Sequence, residues 1–356
     1  MWNRWLLAML VVVAWSVGCS KSEGSVGPRP EPQPDAPQAI TFGTEPKVKG
    51  RAATLIGQTD QSDFRAHALA VYGDWIYNAA GDRREVFRDV RVRYNGAAPS
   101  PSGWNYDPVQ YWQPGGNYEF RAYWPAEAPV MGTASARTLA LEYSMLTRNE
   151  DLMVAYTRCP AGNNRRPVPL QFHHTLAAVA VKFCSVDAEC EYRLKNYFFT
   201  SLNYIGALPY DSTDEQPDVT HDWVYAEGSR SYVDPVNIFN SERLREWSSA
   251  EGRVIPASTD DYPEEFDLFL PQSLVVGEGV AKPSITFTVD VKWTTTDTVT
   301  MTLELPTKDS AGNDMVWRAG RKYIYLITVQ PDRFDVEVRT TEWDEVAGSV
   351  GDIVFQ

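Results

Sequence analysis

The residues with the clearest chemical potential are two adjacent histidines and a group of carboxylates. His173 and His174 are neighbours in a stretch with strand-like alternation, so their side chains should face opposite sides and cannot share one metal ion. Carboxylates also cluster at residues 342–345, but neighbouring side chains on a strand point apart, which suits a glycosidase pair poorly. The sequence contains no nucleophile-elbow, zinc-protease or phosphate-loop motif. We therefore expect no enzymatic activity, no cofactor and no metal site.

Cys19 is the candidate for covalent modification. Residues 1–18 have a positive start and a short apolar run, which is typical of a secretory signal and too short to span a membrane. The run ends in Ser16-Val17-Gly18-Cys19, which is similar to a bacterial lipobox. We expect cleavage between Gly18 and Cys19 and acylation of Cys19, with palmitate among the chains, to give an outer-membrane lipoprotein. The alternative is an ordinary signal with a coincidental cysteine.

The segment after Cys19 and the overall charge limit the possible partners. Residues 19–38 are rich in Pro, Ser, Gly and Glu without apolar periodicity, which is typical of a flexible tether. The formal net charge of −14 predicts that nucleic acid is not a partner. Cys184 and Cys190 could bridge a hairpin, or they could remain thiols.

The elements that must position these residues are short strands. Residues 168–183 alternate apolar and polar side chains, and the phase changes near Ala177 and Ala178, which predicts a bulge or a switch of sheet. Many other short strands with Pro and Gly between them predict an all-β protein of β-sandwich type. The 356 residues favour two domains, at 39–166 and 167–356.

A cluster of aromatic residues in the first domain allows two interpretations. Their side chains could stack on sugars, or they could form the sandwich core, and the period-two spacing around Phe120 favours the core. The cluster comprises Trp104, Tyr106, Tyr111, Trp112, Tyr118, Phe120, Tyr123 and Trp124.

The segment WNYDPVQYWQPGGNYEFRAYWP at 104–125 looks like an aromatic segment of the fimbrillin family, the subunits of type V pili in Bacteroidales. DLMVAY at 151–156, followed by a loop and LQFHHTLAAVAVKF, is similar to a second passage, matched at Phe172, His174, Leu176 and Val179. The LPQ at 270–272 and the strand that begins at Trp317 resemble two more.

The resemblance implies an architecture and a way of assembling. It implies two β-sandwich domains of transthyretin-like, Greek-key type in tandem. It also implies a subunit of a surface fimbria that serves adhesion, in which a surface protease cuts after an arginine and removes the first strand. Here the cut would fall between Arg51 and Ala52 and release the strand at 39–43, and a strand of another pilus subunit would fill the groove.

The resemblance leaves the partners and one rival function open. Residues 352–355 are the candidate donor strand in this chain. The expected partners are other pilus subunits, the outer membrane through the N-terminal lipid, and a host or bacterial surface receptor or glycan. The alternative function is an outer-membrane surface lipoprotein that binds glycans without polymerising.

Overall fold

The computed structural model describes residues 38–44, 61–96, 103–130, 135, 137–160, 166–187, 189–230, 245–246, 252–292, 295–309, 311–330, 333–342 and 351–353. These residues belong to one compact unit. Within them, helix is confined to α1 (Gln61–Ala66) and one 3₁₀ turn (Thr259–Asp261), so the predicted all-β class is confirmed.

In the described residues, the N-terminal half of the chain builds an eight-stranded sheet. Its strands are β1 (Phe42–Thr44), β2 (Leu69–Ile76), β3 (Arg83–Tyr94), β4 (Trp104–Asn105), β5 (Asn117–Trp124), β7 (Met153–Pro160), β8 (Val168–Leu170) and β9 (His173–His174). Their order across the sheet is β8-β1-β4-β3-β2-β5-β7-β9. A short strand from the start of the chain therefore lies between β4 and β8.

The middle strands of this sheet are buried on both faces. Successive residues of β5 alternate between two hydrophobic clusters: Ala122 and Trp124 join one, and Tyr123 joins the other. Strand β7 alternates in the same way at Met153 and Val154. Period-two alternation thus decides which core a side chain enters, because both faces are covered by apolar residues.

The C-terminal half contains two five-stranded sheets in the described residues. Their strands are β10 (Ala177–Ser185), β11 (Glu191–Thr200), β14 (Arg245–Glu246), β15 (Arg253–Val254), β16 (Phe266–Phe269), β18 (Ser284–Lys292), β19 (Thr296–Glu304), β21 (Arg321–Val329), β22 (Phe334–Glu342) and β23 (Gly351–Ile353). The first sheet has the order β16-β10-β21-β22-β23, and the second has β14-β11-β18-β19, with β15 also pairing β11. The rings of Phe183 and Phe287, one from each sheet, lie 5.4 Å apart. The two sheets therefore pack face to face as a sandwich.

Smaller sheets complete the described fold. A three-stranded sheet contains β13 (Val224–Tyr225), β12 (Ile205–Tyr210) and β6 (Leu139–Ser144), and β17 (Gln272–Ser273) pairs with β20 (Val316–Trp317). Strand β6 contributes Leu139, Leu141 and Tyr143 to the larger cluster. The division into domains at 39–166 and 167–356 stays a prediction.

The predicted phase change in residues 168–183 is a switch of sheet. Strand β9 belongs to the eight-stranded sheet and β10 to a sheet of the C-terminal sandwich, with Thr175 and Leu176 between them. Thr175 is fixed at this corner, because both its N–H and its Oγ1 donate to the carbonyl of Leu152, at 2.9 and 2.7 Å.

Candidate functional site

The candidate site is the position of the first strand in the eight-stranded sheet. We refer to residues 38–44, which include β1, as the leading segment, and to the space it fills as the slot. Backbone hydrogen bonds hold the leading segment on both sides. Trp112 N–H donates to the Gln38 carbonyl at 3.0 Å, and Ile40 N–H donates to the Gln110 carbonyl at 2.8 Å. On the opposite side, Val168 N–H donates to the Thr41 carbonyl at 2.7 Å.

The two sides of the slot differ in strand direction. Phe42 is antiparallel to Trp104 of β4 and parallel to Val168 of β8. Strand β8 is tied in turn to β7, since Thr157 Oγ1 donates to the Pro169 carbonyl at 2.6 Å. If the leading segment left, the inner edges of β4 and β8 would each lose their backbone partners.

Two apolar side chains of the leading segment fill the slot. Ile40 and Phe42 are both 0% exposed. The Phe42 ring contacts the rings of Phe87, Phe120 and Tyr106 at centroid distances of 5.3, 5.5 and 5.7 Å. Burying each of these two side chains contributes about 1.5–3 kcal/mol, so the segment is bound by side chains as well as by its backbone.

Tyr106 binds the leading segment from one side of the slot. Its hydroxyl donates to the Ile40 carbonyl at 2.7 Å. Burial raises the pKa of Tyr106 to about 12, so the phenol keeps its proton at neutral pH and remains a donor.

Gly43 marks a close approach of the leading segment to its neighbour in the slot. A Cβ at this position would lie 3.0 Å from Cβ of Pro167. The slot therefore favours a strand with a large apolar residue at the Phe42 position followed directly by a small one.

The structure describes some of the residues that the sequence predicted for this site. The predicted first strand at 39–43 lies in the sheet, with Ala39 bridging Tyr111 before β1 begins. Gly18, Cys19, Arg51 and Ala52 lie outside the described residues, as does the tether at 19–38 apart from Gln38. Of the candidate donor at 352–355, Asp352 and Ile353 are described, and they pair with Arg339 and Val338 at the edge of a different sheet.

Sequence reasoning missed the other strand that borders the slot. Residues 168–170 were included in one long predicted strand, whereas β8 is a separate strand of three residues parallel to β1. The proline at 167 and the loop before it are the only sequence signals near this break. Neither indicates which distant strand β8 pairs with.

Most of the predicted aromatic cluster lies in the core. Trp104, Tyr118, Phe120, Tyr123 and Trp124 are 0–2% exposed. Tyr111 is 46% exposed, as is Tyr77, which the sequence did not single out. The core interpretation therefore accounts for most of the cluster but not for Tyr111.

His174 has a structural environment. Its Nδ1 lies 2.6 Å from Oδ2 of Asp151, and the Asp151 side chain is 0% exposed. Oδ1 of Asp151 also accepts the N–H of Leu152. The pair joins β9 to the start of β7, so it holds together the corner where the chain changes sheet.

The described residues also bear on the remaining sequence predictions. Cys184 and Cys190 are both thiols, and Sγ of Cys184 lies 3.4 Å from Oγ1 of Thr328, so the hairpin bridge is absent. In the described part of the chain, no three His, Cys, Asp or Glu residues come together as metal ligands would.

No helix among the same residues has the length and apolar character needed to cross a bilayer.

Comparison with known proteins identifies the family. Residues 59–343 match the family model described as fimbrillin-like. No curated protein matches the chain. The crystal structure of a fimbrial protein from Bacteroides vulgatus has a TM-score of 0.60 and 13% identity, and the match covers 86% of this chain and 99% of that one.

Two further crystal structures match at lower similarity. One, from Parabacteroides distasonis, has a TM-score of 0.47 and 10% identity and covers 88% of this chain and 99% of its own. The other, from Bacteroides uniformis, has a TM-score of 0.45 and 15% identity. Its match covers 87% of this chain and 100% of that one. Both are provisionally described as cell adhesion proteins. Because the family model spans more than half of the sequence, the chain belongs to the fimbrillin-like family.

Proposed function

We propose that this protein is a subunit of a bacterial surface fimbria that serves adhesion and polymerises by strand exchange. The observation that carries the proposal is the leading segment, whose Ile40 and Phe42 are fully buried between β4 and β8. The family match begins at residue 59, after this segment. Strand exchange is therefore supported by the contacts of the leading segment itself.

Cleavage between Arg51 and Ala52 would make the leading segment removable. Strand β1 ends at Thr44 and the next described element, α1, begins at Gln61. A cut between these elements leaves the leading segment held only by hydrogen bonds and packing. Its loss would expose the pocket of Phe42 and the unpaired backbone groups of β4 and β8, which a new strand can satisfy.

The C-terminal residues resemble the leading segment in side-chain type and spacing. Ile353-Val354-Phe355 repeats the Ile-x-Phe pattern of Ile40-Thr41-Phe42. A donor running in the same direction would place Ile353 and Phe355 in the two filled positions of the slot. Gln356 would then replace Gly43 beside Pro167, so the ring of Pro167 must shift by a few tenths of an ångström.

The same cut would release the subunit from its lipid. With Cys19 acylated in the outer membrane, cleavage after Arg51 leaves the lipid on the removed piece. The mature subunit would then be held at the cell surface only through other pilus subunits. Membrane delivery and polymer assembly are thus successive steps.

The experiment that tests the proposal replaces only Arg51, the residue after which cleavage is proposed. Arg51→Gln should leave full-length acylated monomers and abolish the SDS-resistant ladder of surface-extracted protein. Lys49→Gln, two residues earlier in the same basic stretch, is the matched control and should assemble normally. An undiminished ladder from the Arg51→Gln variant would reject cleavage at this residue.

The rival function, glycan binding without polymerisation, has one observation in its favour. Tyr77 is exposed beside Trp75, with ring centroids 5.4 Å apart. Aromatic faces of this kind can stack on sugars. Glycan-array binding by a lipid-anchored monomer, lost on Tyr77→Ala, would favour the rival over the fimbrial subunit.

A further inference from the structure

Strand β19 forms a long exposed edge of the C-terminal sandwich. Its nine residues pair with β18 without any shift of register. In the described part of the chain, no strand pairs with the other side of β19. A row of backbone donors and acceptors therefore faces outward along its whole length.

This edge lacks the features that usually prevent strands from associating. Strand β19 contains no lysine, arginine or proline, and its two charges, Asp297 and Glu304, lie near its ends. By contrast, the pairing of β11 with β18 in the same sheet is interrupted by a bulge. Long, regular edges without positive charge, proline or bulges are the ones that pair with other chains.

On one face of the sheet, β19 carries a row of threonines. Thr302 and Thr300 approach Thr286 and Thr288 of β18, with hydroxyl oxygens 3.0 and 3.1 Å apart. Thr298 Oγ1 donates to Asp290 at 2.7 Å. Threonine pairs between neighbouring strands stabilise a sheet, and Thr298, Thr300 and Thr302 can repeat this pairing on the open side of β19.

The opposite face of β19 is apolar and only partly covered. Val299 is 37% exposed, while Met301 and Leu303 pack against the larger core cluster without being buried. A further strand beside β19 would cover these side chains. The edge therefore offers apolar contacts as well as backbone pairing.

We propose that β19 pairs antiparallel with β19 of a second copy of this chain. In the register that uses all nine residues, Thr300 lies opposite Thr300 of the second copy, Thr298 opposite Thr302, and Val299 opposite Met301. Threonine meets threonine on one face and apolar residues meet on the other, because side chains alternate with period two. Asp297 faces Leu303 and Glu304 faces Thr296, so no like charges oppose each other directly.

This contact is independent of the slot, which lies in the eight-stranded sheet. A single pair of strands buries little surface, so dimers of isolated chains should be weak and reversible. If the proposed fimbria forms, each subunit presents one such edge. Repetition along two fibres would then strengthen their side-by-side association.

Site-specific crosslinking tests the register. In the full-length chain, Thr300→Cys should give dimers with a short bis-maleimide, because residue 300 lies opposite itself. Thr302→Cys is the matched control, since it is equally exposed but about 13 Å from its own counterpart in this register. Mixing Thr298→Cys with Thr302→Cys should restore crosslinking, and the native cysteines set the background.

The pairing is wrong if Thr300→Cys crosslinks no faster than Thr302→Cys. It is also wrong if the mixture of Thr298→Cys and Thr302→Cys stays monomeric. Because the leading segment stays in place throughout, neither result bears on strand exchange. Conversely, an intact leading segment on the cell surface would contradict strand exchange but not the pairing of β19.

Discussion

At the residue scale, Phe42 is an aromatic side chain that holds the leading segment in the sheet. It is fully buried and touches three aromatic rings. A buried aromatic residue in such a setting acts as an anchor, and its loss leaves a cavity that the surrounding rings cannot close completely.

We expect Phe42→Ala to lower the free energy of unfolding of the uncleaved chain by about 3–5 kcal/mol. Denaturant unfolding followed by tryptophan fluorescence measures this change. Tyr111→Ala, at a 46% exposed position near the same segment, should stay within about 0.5 kcal/mol. Similar stabilities for the two variants would mean that Phe42 does not anchor the segment.

A second residue-scale prediction concerns pH. Burial raises the pKa of Asp74, although the Arg83 guanidinium 3.8 Å away lowers it. Because the folded-state pKa lies above the unfolded one, ionisation of Asp74 opposes folding, and stability from this group increases as pH falls through the raised pKa. As the pH is lowered from neutral toward 4, the native chain should therefore gain Tm relative to the Asp74→Asn variant. A difference that is constant over this range contradicts the prediction.

At the element scale, the leading segment and the C-terminal residues have the same pattern of large apolar side chains. We expect Phe355→Asp to prevent polymer growth without affecting cleavage, because a carboxylate cannot enter the apolar pocket of Phe42. The variant should accumulate as monomers that begin at Ala52, whereas Asp352→Asn should polymerise. Normal ladders from Phe355→Asp would show that another strand is the donor.

The strands themselves were largely predictable, but their partners were not. Period-two alternation indicated β5 and β10, and the family resemblance indicated β21. The phase change near Ala177 predicted a bulge or a switch of sheet, and the structure has the switch. The pairing of β1 with β8 could not be read from the sequence. These strands have three residues each and are far apart in the chain, so local alternation carries no information about their register.

The site was predictable to a similar extent. The sequence placed the leading segment in a short strand, while the pocket made by Phe87, Tyr106 and Phe120 required the fold. Sequence spacing also could not tell which aromatic residues were buried. Both faces of β5 lie against apolar neighbours, so alternation there does not separate inside from outside.

At the scale of the whole molecule, the chain has two separate regions suited to pairing with other chains. The slot lies in the eight-stranded sheet and is filled by the chain's own first strand. The edge of β19 lies in the C-terminal sandwich and carries no partner among the described residues. The first would join subunits along a fibre, and the second would join fibres side by side.

The most direct measurement of the central claim is the N-terminal sequence of the protein in SDS-resistant oligomers extracted from the cell surface. Strand exchange predicts that these subunits begin at Ala52 and lack residues 38–44. Oligomers whose subunits still begin at an acylated Cys19 would contradict it, since the slot would then still be filled by each subunit's own leading segment.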